Sequence, residues 1–93
     1  MNIKILTPET VIFEGEVESV LLPGKNGDFH IMKDHIAIVS SLVNGKIKLF
    51  TNAIPEAASK HLKKENDAKS IYSFLIKSGV IEFANNKGII LAE

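Results

Sequence analysis

Val17-Glu18-Ser19-Val20-Leu21-Leu22-Pro23-Gly24-Lys25-Asn26-Gly27-Asp28-Phe29-His30-Ile31-Met32 holds two short apolar runs on either side of a polar turn. The spacing predicts a strand over Val17 to Leu22, stopped at Pro23-Gly24, and a second over Phe29 to Met32. Asn26-Gly27 supplies the positive backbone angles a tight hairpin turn needs. Working outward, the same grammar repeats. Ile3 and Ile5 alternate with Asn2 and Lys4 before Thr7-Pro8-Glu9-Thr10 breaks the run, and Val11-Ile12-Phe13 ends at Glu14-Gly15. Lys33-Asp34-His35 turns into a strand over Ile36 to Val43, and Asn44-Gly45 reads as a second hairpin signal before Lys46 to Phe50. Late strands are expected at Ile71 to Ile76, Val80 to Phe83 and Ile89 to Leu91. Lys77-Ser78-Gly79 and Asn85-Asn86-Lys87-Gly88 separate them. Short strands at this spacing, joined by hairpin turns, specify an all-β fold: an antiparallel flattened β-sandwich or barrel of about ten strands.

The exception is 51–69, a polar, lysine-rich insertion that reads as part helix, with Pro55 in its first turn. Glu56 with Lys60 and Lys63 with Asp67 are spaced as helical pairs. Ala57, Ala58, Leu62 and Ala68 are its apolar residues, too few to anchor it firmly, so it is expected to be an exposed excursion between strands.

The 93 residues carry 45% hydrophobic side chains, enough for one modest core and too few for two, so 1–93 is expected to be one domain. Large-scale disorder is excluded by that composition. No run nears the roughly eighteen apolar residues of a membrane helix. The amino terminus goes directly into an alternating strand rather than a basic start and apolar stretch, so the chain is expected to stay on the cytoplasmic side. Cysteine is absent, removing disulfides and thiolate chemistry. Eleven acidic residues balance eleven basic ones, all of them lysine. Without arginine or a net positive field, nucleic-acid binding is not expected.

Catalytic and metal constellations are weak. Pro23-Gly24-Lys25-Asn26-Gly27 lacks the spacing of a phosphate-binding loop, and no nucleophile elbow is present. His30 and His35 flank one turn and with Asp28 or Asp34 have the types of a metal site, but ordinary hydrogen bonding is the better reading. His61 is read as solvated. Glu14, Glu16 and Glu18 alternate, which reads as a solvated strand face that discourages edge pairing. No catalytic residue, cofactor or metal ligand is assigned. Ile36-Ala37-Ile38-Val39, Val20-Leu21-Leu22 and Ile89-Ile90-Leu91 offer apolar side chains to both faces of their strands. Either neighbouring strands cover the second face or part of it docks on a partner.

Thr7-Pro8-Glu9, Phe13-Glu14-Gly15-Glu16-Val17, Leu22-Pro23-Gly24 with Gly27-Asp28-Phe29, Asp34-His35 and Ser78-Gly79-Val80-Ile81-Glu82-Phe83 stand in an order that resembles the amino-terminal domain of ATP synthase epsilon subunits. The resemblance covers nearly the whole chain except 51–69. The family's Pro-Gly before the histidine reads Lys33-Asp34 here and its Ala-Pro reads Ile36-Ala37, so that turn keeps its position but not its chemistry. The resemblance implies a non-catalytic central-stalk subunit of a proton-translocating enzyme, peripheral on the cytoplasmic face of the energy-transducing membrane. It would link the gamma subunit to the c-ring and couple proton flow to ATP synthesis, meeting the alpha and beta catalytic head indirectly. Lys25, Asn26, Gly27, Asp28 and Phe29 would reach the c-ring, with Asp28 in the position of the family's acidic contact. His35 and Ile36 would lie on the gamma side. The family continues into a helical hairpin where this chain stops at Glu93, so inhibition by helix insertion and ATP binding are not expected. The alternative is a free-standing β-sandwich ligand-binding module, though such modules rely on exposed aromatics and this chain has no Trp and one Tyr, Tyr72. A cupin-type enzyme using His30 and His35 is the remaining possibility.

Overall fold

The computed structural model describes residues 1–52, 54–66 and 70–93. The described residues form ten strands: β1 (Asn2–Leu6), β2 (Val11–Glu16), β3 (Ser19–Gly24), β4 (Gly27–Met32), β5 (Ile38–Leu42), β6 (Gly45–Phe50), β7 (Lys63–Asn66), β8 (Ile71–Ile76), β9 (Gly79–Ala84) and β10 (Lys87–Ala92). One helical turn, α1 (Glu56–Ser59), lies between β6 and β7. The strands form one curled sheet in the order β2-β1-β10-β9-β5-β3-β6-β8-β7, with β4 paired to β3. Among the described residues the pairings are antiparallel except β1 with β10, which run parallel.

Period-2 alternation builds the core. Along β10, Gly88, Ile90 and Ala92 point inward while Lys87, Ile89 and Leu91 point out, and β1 buries Ile3 and Ile5 by the same rule. With Phe13, Val20, Leu22, Ile31, Ile47, Leu49, Ile81 and Phe83 these residues make a fully buried interior. The curl originates in β3. Ser19 to Leu21 pair with β6, whereas Gly24 pairs with Leu42 of β5. Pro23 sits where the partner along one edge of β3 changes from β6 to β5. Its ring nitrogen has no proton to give to a ladder, so a switch point is where a strand tolerates it. The Pro23 carbonyl is used there, accepting the Val43 N–H at 2.9 Å.

Several expectations are corrected. Pro23 and Gly24 continue β3 instead of ending it, so the turn is reduced to Lys25-Asn26. The positive angle there belongs to Gly27 (φ 112°) and not to Asn26. Asn44-Gly45 is no hairpin: β5 pairs with β9 and β3, and β6 with β3 and β8. The strand expected from Ile36 begins at Ile38. At the last turn Asn85 (φ 53°) and Asn86 (φ 59°) are both left-handed, a conformation asparagine tolerates, and Ala84 pairs directly with Lys87.

The insertion is better anchored than its composition implies. Ala58 and Leu62 are buried in the core, and Thr51 at its base is buried too. Thr51 donates its hydroxyl to the Glu16 carbonyl (3.1 Å) and its N–H to the Ser70 carbonyl (2.9 Å). After the helical turn, Lys63 to Asn66 add a strand to β8 that the sequence reading did not contain. Two well-placed apolar side chains and a closed base anchor this segment despite its polarity. The Lys63–Asp67 pair, Ala68 and Lys69 lie outside the described residues. Phe29 and Phe74 are half-buried against the core, and Leu21 is half-buried between His30 of β4 and Lys48 of β6.

Candidate docking surfaces

The β3–β4 hairpin carries the residues implied for one contact. Gly24 pairs with Gly27, Pro23 with Asp28 and Leu22 with Phe29. The Phe29 ring lies over the Gly24 backbone so closely that a β-carbon on Gly24 would stand 2.7 Å from the ring and 2.8 Å from the Gly27 carbonyl oxygen. Glycine is therefore required at 24 by contact, and at 27 by backbone angle. Lys25, Asn26, Gly27 and Asp28 are all exposed. Among the described residues, no hydrogen bond or ion pair engages the Asp28 carboxylate. The tip is thus a stiff, narrow projection with one lysine and one carboxylate available.

The second implied contact follows the far end of β4. The five-residue rise from Gly27 to Met32 separates the two by roughly 17 Å of extended strand. The His35 N–H closes a turn on the Met32 carbonyl (3.1 Å), and the ring's Nδ1 lies 2.7 Å from the Ile36 carbonyl oxygen. The His35 ring stands edge-on to Phe83 at 6.1 Å, which half-buries it. Ile36 beside it is 79% exposed, the largest exposure among the large hydrophobic residues. Asp34 takes a left-handed conformation (φ 66°), which explains how the turn keeps its place without glycine.

Beyond these residues one apolar row crosses four strands on the outer face of the sheet, beside a row of mixed character. Val11, Leu6, Leu91 and Val80 follow one another in register across β2, β1, β10 and β9. Lys4, Ile89, Glu82 and Val39 form the adjacent row over β1, β10, β9 and β5. Val39, Leu91, Ile89, Val11 and Val80 are all exposed. A cleft of about 540 Å³ opens at the end of the first row between Thr7-Pro8 and Ser78-Gly79. The two-faced apolar runs at Ile36–Val39 and Ile89–Leu91 therefore do leave an uncovered face, whereas Leu21 is covered by its neighbours. Val11 and Val80 were missed as members of this face. Only the parallel β1–β10 pairing brings them into line, and pairing order is not written in local sequence.

The histidines are engaged separately. His30 Nε2 lies 2.8 Å from the Ser19 hydroxyl and its ring packs on Phe50 at 5.0 Å. His61 is half-buried, with its N–H on the Ala58 carbonyl, rather than fully solvated. Among the described residues no three His, Asp or Glu side chains gather as metal ligands. Glu14 and Glu16 are exposed on β2, while Glu18 lies beyond its end. At the opposite edge Lys46 bonds Glu65 at 3.0 Å. That hydrogen bond, with the Lys46 charge behind it, holds the Glu65 carboxyl below the usual carboxylate range. No described helix is long and apolar enough to cross a membrane.

Residues 1–93 match the model of the ATP synthase delta/epsilon chain beta-sandwich domain. An ATP synthase epsilon chain from Chlorobium limicola is 36% identical over 92 residues, covering 99% of this chain and 88% of that protein. One from Sulfurimonas denitrificans is 34% identical over 93 residues, and this chain spans 60% of its length. Among solved structures, chains of the Tetrahymena thermophila mitochondrial ATP synthase central stalk and c-ring (TM-score 0.69, 17% identity) and of the Euglena gracilis mitochondrial ATP synthase (TM-score 0.71, 13% identity) share the fold. They cover 98% and 97% of this chain, which spans 61% and 48% of theirs. The chain belongs to the ATP synthase delta/epsilon beta-sandwich family.

Proposed function

We propose that this protein is a non-catalytic epsilon-type subunit of the rotor, joining the gamma subunit to the c-ring and helping to couple proton flow to ATP synthesis. The observation that carries this reading is the family match along all 93 residues, with relatives named as ATP synthase epsilon chains. The geometry suits the role. A coupling element must transmit torque without deforming, and the hairpin tip and the His35 turn are the two ends of one strand set in a single hydrogen-bonded sheet. The tip Lys25 to Phe29, exposed from Lys25 to Asp28 with Phe29 packed beneath it, is assigned to the c-ring. An exposed ion pair from Asp28 contributes only about 0–1 kcal/mol, so the shape of the glycine-backed tip carries most of that contact. His35, Ile36 and the apolar outer face around Val39 and Ile89 are assigned to gamma, whose docking would remove that surface from water. The subunit would sit peripherally on the cytoplasmic face of the energy-transducing membrane, held there through the complex and meeting the alpha and beta head through gamma.

The test is affinity capture of tagged chain from detergent-solubilised native membranes. Co-purification of gamma, c, alpha and beta subunits is expected. Recovery of a monomer alone, from membranes in which the enzyme is intact and its own epsilon chain depleted, would contradict the reading.

A further inference from the structure

Asp34 and Asn86 are 52 residues apart and grip each other reciprocally. The Asp34 N–H donates to Asn86 Oδ1 at 2.7 Å, and Asn86 Nδ2 donates to Asp34 Oδ1 at 2.9 Å. Both residues have left-handed backbones, and the Asn86 carbonyl accepts the Asn2 N–H at 2.9 Å. Asn86 thus ties three pieces of chain together: the start of β1, the β9–β10 turn, and the turn leaving β4. The segment it holds through Asp34 runs directly into His35 and the exposed Ile36. From His35 to Ala37 the chain belongs to no strand, and a cleft of about 450 Å³ separates it from Ala84, Asn85 and Asn86.

We propose that Asp34 and Asn86 form a clasp that pre-orders the His35–Ala37 segment for docking, making both of them positioning residues for the gamma contact. The proposal rests on the assignment of that segment to gamma made above. Without the clasp, the segment between Met32 and Ile38 is restrained by the His35 N–H bond to Met32 and the edge contact with Phe83. Ordering it then falls to the binding step and weakens association.

The chemistry permits a test that leaves the backbone alone, because asparagine, aspartate and glycine all accept left-handed angles. Asn86→Asp sets two carboxylates against each other. Adding Asp34→Asn to it restores one amide and one carboxylate in reversed roles. Asn86→Gly removes both side-chain bonds and keeps the carbonyl that Asn2 uses. Binding to purified gamma subunit is measured alongside amide exchange at His35 in the free chain, with Ile36→Lys as the reference for direct contact. Asn86→Asp and Asn86→Gly are expected to speed exchange and weaken gamma binding about tenfold, and the double variant to recover both. Ile36→Lys is expected to weaken binding without changing exchange. If Ile36→Lys weakens binding but both Asn86 variants bind like the parent, the clasp proposal is overturned. If Ile36→Lys also binds like the parent, the assignment to gamma fails instead. Should Asn86→Asp not fold, Asn86→Gly decides.

Discussion

Gly24→Ala adds one methyl group at the most crowded point of the β3–β4 hairpin. The new carbon would stand 2.7 Å from Cδ1 and 2.8 Å from Cε1 of Phe29, and 2.8 Å from the Gly27 carbonyl oxygen. The ring is able to swing outward, but the carbonyl is backbone in a two-residue turn, so the turn itself must open. Such overpacking costs about 1–3 kcal/mol. Alanine also restricts the unfolded chain, which returns about 0.4–1 kcal/mol. The net expectation is a loss of roughly 1–2 kcal/mol, read by thermal unfolding as a fall in Tm of about 4–16 °C for a domain of this size. Phe29→Ala removes one of the two clashes, so Gly24→Ala should cost less in that background than in the parent. The two losses are then not additive, with a coupling within the 0.5–3 kcal/mol typical of touching residues, taken as about 1 kcal/mol. Because Asp28 follows directly on the Gly27 that an opened turn displaces, c-ring binding by Gly24→Ala should also weaken, even under conditions where the domain is fully folded. Circular dichroism melts of the four proteins in the cycle decide the matter. A Gly24→Ala melt within about 1 °C of the parent, or strict additivity with Phe29→Ala, would refute the reasoning that this contact fixes the tip.

The remaining predictions test other parts of the molecule. Phe83→Ala empties a fully buried site between Gly88, His35 and the sheet, and should cost about 3–5 kcal/mol in denaturant unfolding, enough to unfold a marginal domain. Asp28→Lys should change stability by less than about 0.5 kcal/mol yet reduce binding to isolated c-ring, measured by sedimentation with reconstituted vesicles. Leu91→Asp together with Val80→Asp should likewise leave the fold intact and abolish gamma binding; unchanged binding would remove that face from the docking surface. Lys46→Met should raise the Glu65 carboxyl titration toward its ordinary range, followed by carbon NMR. A carboxylate held low when folded stabilises the fold above its unfolded pKa and loses that contribution as pH falls through the folded value, so parent and variant should converge in stability at acid pH.

Strand existence was legible in the sequence because Ile3/Ile5 and Ile89 to Leu91 lie in short runs bounded by Pro, Gly and Asn, and burial follows the two-residue period wherever a strand has one inner face. Pairing was not. Asn44-Gly45 has the residues of a hairpin, but β6 pairs with β3 and β8 while β5 pairs with β9 and β3, so tertiary pairing overrides the turn signal. Pro23 misleads for the same reason: a strand that changes partners tolerates a missing donor at the change. A reversal of the chain near Lys25-Asn26 was legible because its flanking glycines are local requirements, although β4 already begins at Gly27. Asp34's partner was invisible, because a contact over 52 residues depends on β10 lying beside β1 and β9. Leu62 and Ala58 show that two buried apolar side chains can anchor a segment whose composition is polar.

Coupling itself is measured in membrane vesicles that carry the enzyme of the parent organism, stripped of its own epsilon chain and driven by an imposed proton gradient. Adding this chain should rebind it to the stripped complex in a one-to-one ratio with gamma and restore gradient-driven ATP synthesis, and Asp28→Lys and Ile36→Lys should each restore less. Synthesis that stays at the stripped level while the chain is present in excess and folded, with none of it bound to gamma, would contradict the assignment of this protein to the rotor.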